Sequence, residues 1–129
     1  MRRLALLAAL FALAACNSDS TSPNGQITGT YSLRTVNGNA LPFTFSDGSV
    51  LVSDRLSLNN DGTYIDVATF SNNGSATEQG LWSINNNLIT FNDQTDAFNY
   101  SGSLSGSVLT ETFPGTRGSG SITEVYQRD

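Results

Sequence analysis

From Ile27 onward apolar and polar positions alternate in short runs, and nowhere do apolar residues recur at helical spacing for three turns. A period of two is that of a strand, whose successive side chains point to opposite faces. The runs are punctuated by Asn37-Gly38-Asn39, Asp47-Gly48, Asn59-Asn60-Asp61-Gly62, Asn72-Asn73-Gly74, Asn85-Asn86-Asn87, Asn92-Asp93, Ser105-Gly106 and the stretch from Gly115 to Gly120. Asn-Gly and Asp-Gly accept the positive φ of tight hairpins, so most sequence neighbours are predicted to pair antiparallel. Strand segments are expected near 28–36, 41–46, 50–58, 63–70, 76–84, 88–92, 96–104, 107–113 and 121–127. Eight or nine such strands make an all-β, antiparallel up-and-down meander, the signature of a barrel or a sandwich.

The alternation also predicts which side chains point inward. The clearest inner faces are Tyr31 and Leu33; Phe43 and Phe45; Val50 and Val52; Leu56 and Leu58; Trp82 and Ile84; and Phe98, Tyr100 and Leu104. The core is thus expected to be rich in aromatics. Extending the phase of Val50 to Leu58 puts Asp54 on the inner face, where an unpaired carboxylate is costly. A bulge at Ser53-Asp54 that turns Asp54 outward is the expected resolution, and a polar group inside a cavity is the other. In 63–70, Ile65 and Val67 compete with Tyr64, Ala68 and Phe70 for the interior, and the pattern leaves that phase open.

The amino terminus follows different rules. Met1-Arg2-Arg3 precedes an unbroken apolar run from Leu4 to Ala15, too short to span a bilayer and shaped like a secretory signal. Leu13-Ala14-Ala15-Cys16 resembles the lipobox of bacterial lipoproteins, which implies removal of residues 1–15 and acylation at Cys16, with membrane attachment through amino-terminal acyl chains. Asn17 after the cysteine, where an aspartate would retain such a protein at the inner membrane, implies the outer membrane and a place in the bacterial cell envelope. Residues 16–26 hold no large apolar side chain after the cysteine and read as a tether, with a reach of roughly 17 Å for a flexible coil of about ten residues. The folded domain is expected over 27–129.

Composition then removes whole classes of function. With 1–15 gone, Arg34, Arg55, Arg117 and Arg128 face eleven acids, a net charge near −7, and the chain has no histidine and no lysine. Such a surface repels phosphate backbones, so a nucleic-acid partner is excluded. Cys16 is the single cysteine, so no disulfide supports the fold. About 114 mature residues suffice for one domain.

Several segments resemble the bacterial lipocalin-like lipoprotein domains. These are Gly29-Thr30-Tyr31-Ser32-Leu33 with Val36-Asn37-Gly38 and Leu41-Pro42; Leu56-Ser57-Leu58 with Asp61-Gly62-Thr63-Tyr64; Gly80-Leu81-Trp82-Ser83-Ile84 with Leu88-Ile89-Thr90-Phe91; and the closing Leu104 to Thr110 and Val125 to Arg128. The opening aromatic is Tyr31 where true lipocalins carry tryptophan. The resemblance implies a small antiparallel barrel of about eight strands and small-molecule binding, without naming a ligand.

Candidate chemistry is sparse. Nucleophilic catalysis lacks a histidine or lysine base and a free thiol, and zinc-type sites lack ligands. Asp54, Glu78, Glu111 and Glu124 show no motif joining them as a hydrolase pair and are expected on solvated faces. Ser57-x-Asn59-x-Asp61-Gly62 has the beginning of a calcium loop, yet the position for its bidentate glutamate is Ala68. No enzyme activity, metal or cofactor is therefore expected. Two readings remain: a binding module for an apolar or amphiphilic ligand, lined by Tyr31, Trp82, Phe98, Tyr100 and Asp54; or a filled barrel whose outer face meets a protein partner in the envelope. An eight-stranded barrel has room for either, and an interior cavity above roughly 300 Å³ would favour the first.

Overall fold

The turn residues divide the chain into ten strands in a computed structural model that describes residues 26–115 and 120–129. They are β1 (Gly29–Val36), β2 (Asn39–Ala40), β3 (Phe43–Thr44), β4 (Val50–Leu58), β5 (Thr63–Phe70), β6 (Ser75–Asn85), β7 (Leu88–Asp93), β8 (Phe98–Ser105), β9 (Val108–Pro114) and β10 (Ser121–Arg128). From β4 to β10 each strand pairs antiparallel with its sequence neighbour. The ring closes through β1, which pairs with β10 on one side and, over Gly29–Ser32, with Arg55–Leu58 of β4 on the other. The result is a closed eight-stranded antiparallel barrel with β2 and β3 as two-residue additions at its edge.

Local chemistry sets the hairpins. Between β4 and β5, Gly62 adopts φ +82° while the Asp61 carboxylate accepts from the Thr63 backbone N–H at 3.0 Å and its hydroxyl at 2.6 Å. This Asx-type arrangement is why the Asp-Gly signal marks a turn. Gly80 has a different role: a Cβ there would lie 2.0 Å from the Asn92 carbonyl oxygen and 3.0 Å from the Tyr64 ring, so its lack of a side chain allows that close approach.

One end of the barrel is solid. Tyr31, Leu33, Leu56, Leu58, Trp82 and Ile89 are buried there or in the middle, each apolar side chain contributing on the order of 1.5–3 kcal/mol. The Trp82 indole N–H donates to the Asn59 carbonyl at 3.1 Å, and the Tyr31 hydroxyl donates to the Ile27 carbonyl at 2.7 Å. Both ends of the described chain meet here. The Arg128 guanidinium donates to the carbonyls of Gln26 and Thr28, and Asp129 accepts from Ser32 and pairs with Arg55 at 2.8 Å.

Two expectations change, and the open phase of 63–70 is settled. The segment 41–46 forms only the two-residue β3, because Pro42 has no N–H and the chain already turns at Asp47-Gly48; Phe43 and Phe45 still pack together, edge to face at 5.1 Å. Val50 and Val52 do not share the inner face. A bulge shifts the β4–β5 register between Leu51 and Ser53, so Leu51 is buried while Val52 is 46 % exposed. In β5 the inner face is Tyr64, Asp66, Ala68 and Phe70, and Ile65 points outward.

Candidate functional site

The other end of the barrel is hollow. A cavity of about 490 Å³ lies there, its apolar lining including Phe45, Leu51, Phe70, Phe98, Tyr100 and Phe113. Tyr100 anchors the aromatic wall: its ring stacks on Phe91 at 4.8 Å and on Phe98 at 6.0 Å, and meets Phe113 edge-on at 6.0 Å. Six strands each add one carboxylate to the lining: Asp54 from β4, Asp66 from β5, Glu78 from β6, Asp93 from β7, Glu111 from β9 and Glu124 from β10.

Strand periodicity brings these acids inside. Each sits two residues from an interior neighbour on its own strand, as in Tyr64-x-Asp66, Phe91-x-Asp93, Glu111-x-Phe113 and Glu124-x-Tyr126. The bulge in β4 does not turn Asp54 outward, as the sequence led us to expect. It falls at Val52 instead, re-phases the strand one residue earlier, and leaves Asp54 only 7 % exposed in the cavity wall. Likewise Glu111 and Glu124 are buried, and with Glu78 they converge on one space rather than standing on solvated faces. The expectation failed because it treated each acid as an isolated surface residue, whereas each shares a face with core side chains.

Burial dominates the electrostatics. Desolvation raises Asp54 to about 6, with the nearby Glu124, Glu111 and Glu78 adding to the rise and a hydrogen bond to Asp66 opposing it. The same cause raises Glu78 to about 7 and Glu124 to about 7, and holds Asp66 and Glu111 well above the carboxylate range. Burial also raises the Tyr64 and Tyr100 phenols. Some acids have donors. Glu124 accepts from the Tyr126 hydroxyl at 3.0 Å, and Asp93 accepts from the backbone N–H of Thr95 at 2.7 Å. Others do not: Oε1 of Glu111, Oδ1 of Asp54 and Oδ1 of Asp66 are buried without a hydrogen-bond partner among the described residues. Among the described residues no arginine lines the cavity.

Glu78, Asp93 and Asp96 bring one carboxylate oxygen each within 4.8 Å of one another, a set of hard ligands at the rim. Asp93 already serves the turn after β7, and its burial follows from that role.

Of the residues proposed from sequence to line a ligand, Phe98, Tyr100 and Asp54 meet at the cavity. Tyr31 and Trp82 are held apart from it in the solid end, with their polar atoms bonded to backbone carbonyls. Cys16 lies outside the described residues. Asp66, Phe70, Glu111, Phe113 and Glu124 also line the cavity without having been singled out for it. The signal that could have found them is the repeated acid two residues from an aromatic, on strand after strand.

No family model and no curated protein matches the chain. Among solved structures it is similar to a lipocalin-like protein from Bacteroides uniformis, with 14 % identity and a TM-score of 0.54 over 81 % of this chain and 100 % of that one. It also matches the fatty-acid-binding protein from Manduca sexta, with 14 % identity and a TM-score of 0.40 over 79 % and 98 % of the two chains. The closed meander agrees with the first of these likenesses, and the chain has the lipocalin-like fold.

Proposed function

We propose that this protein is a lipid-anchored binder of a small amphiphilic molecule, working in the bacterial cell envelope. The observation that carries the binding reading is the cavity of about 490 Å³, which falls within the 300–1,000 Å³ typical of ligand pockets. A lining that combines aromatic rings with carboxylates suits a ligand that has both an apolar and a polar part. The filled-barrel alternative requires an interior without such space.

The anchoring reading rests on the lipobox-like Leu13-Ala14-Ala15-Cys16 and on the polar stretch behind it. Its geometry is favourable. The described residues begin at the solid end, where Arg128 holds Gln26 and Thr28, at the opposite end of the barrel from the cavity.

Two measurements test these halves separately. Native mass spectrometry of the lipidated protein, released gently from membranes of its host, should show a co-purifying small molecule; a clean apo mass across hosts would count against ligand carriage. Cys16→Ser should move the protein from the membrane fraction to the soluble one, and unchanged retention would remove the anchor.

A further inference from the structure

The hollow end has a sign and an unmet demand for donors. Glu111 is 2 % exposed and Asp54 7 %, both line the cavity, and each has a buried carboxylate oxygen without a hydrogen-bond partner among the described residues. Buried carboxylate oxygens are almost always paired with a donor or a cation. The described arginines supply none. Arg55 pairs with Asp129 on the outside, Arg128 is committed to the carbonyls of Gln26 and Thr28, and Arg34 is exposed outside this cavity.

We propose that the cavity selects a cationic amphiphile, an organic ammonium seated among Asp54, Asp66, Glu111 and Glu124 with its apolar body against Phe98, Tyr100 and Phe113. This rests on the small-ligand reading and narrows it. An ammonium N–H donates to the carboxylate oxygens that lack partners, and its charge relieves the repulsion among acids from different strands. The aromatic wall favours an organic cation over a hydrated metal ion, because ring faces attract an ammonium and its carbon skeleton has surface to bury. A fatty carboxylate meets the opposite situation, since its head would add one more anion to a lining that holds no cation among the described residues. Lipocalin-like architecture alone would leave the sign of the ligand open; the buried acids decide it.

The test compares 4-phenylbutylamine, 4-phenylbutanol and 4-phenylbutanoate, which share a skeleton and differ in the charge of the head. Each is titrated calorimetrically at pH 8 into the mature lipidated protein in neutral-detergent micelles, with protein-free micelles as blank. The amine should bind at least about tenfold more tightly than the alcohol, as expected for a desolvated charge-assisted contact, with the butanoate weakest. Glu111→Gln and Asp54→Asn, each close in shape to the native side chain, should weaken the amine by about tenfold and leave the alcohol nearly unchanged. Asp129→Asn, which removes a charge from the outer surface, should change neither. Far-UV circular dichroism establishes that each variant is folded.

Equal binding of amine and alcohol would overturn the charge selection while leaving a small-ligand barrel standing. Failure of all three probes, together with a clean apo mass, would overturn both readings. Calcium binding that is lost on Asp54→Asn, with no response to the amine, would replace the organic cation with a metal and overturn this proposal alone.

Discussion

Glu124 shows what a buried acid costs here. Its free value near 4.5 rises to about 7 in the folded chain, chiefly by desolvation, so the folded state holds protons that the unfolded state has released. Asp54, raised to about 6, and Glu78, raised to about 7, act in the same direction; they stand on β4 and β6, either side of β5, with Asp66, Glu111 and the Tyr64, Tyr100 and Tyr126 phenols among the titratable groups of the same interior. More protons bound to the folded state means that stability falls as pH rises, from near pH 4 through about pH 7. The empty domain should therefore melt at a lower temperature at pH 8 than at pH 5. Glu124→Gln should stabilise it by on the order of 1–3 kcal/mol at pH 8 and by little at pH 5, each pKa unit corresponding to about 1.4 kcal/mol. Thermal denaturation across pH checks both, and a melting temperature that climbs from pH 5 to pH 8 would contradict them. Single residues also show why the lining was hard to read: Glu111 in isolation is an ordinary strand acid, and only its place between Leu109 and Phe113 marks it as interior.

Among the elements, β4 separates what was legible from what was not. Hairpin signals placed most of the barrel strands within a few residues, because Asn-Gly and Asp-Gly act locally. The bulge between Leu51 and Ser53 has no such local signature, since it is set by how β4 bends to pair with both β5 and β1. Strict alternation therefore selected Val50 and Val52 where the structure buries Leu51. Leu51→Ala should destabilise by about 2–4 kcal/mol, as truncation of a buried leucine does, while Val52→Thr should stay within about 0.5 kcal/mol. Chemical denaturation of the two variants decides the phase, and a larger loss at position 52 would place the bulge elsewhere.

The whole molecule is a barrel with two unlike ends. Aromatic and aliphatic side chains fill the end where the described chain starts and finishes; acids and a second aromatic set surround the hollow one. Fold class was legible because it follows from period and turn spacing, which any antiparallel barrel repeats. The division into ends was not, because Tyr31 and Trp82 look like Phe98 and Tyr100 until the register is known. The most direct test of that division is to titrate isotope-labelled protein with 4-phenylbutylamine at pH 8 and follow backbone and side-chain resonances by NMR. Shifts concentrated at Asp54, Phe98, Tyr100, Glu111 and Phe113, with Tyr31 and Trp82 unmoved, are the expected result. Shifts confined to the outer surface, or centred on Tyr31 and Trp82, would contradict a binding site in the acid-lined end.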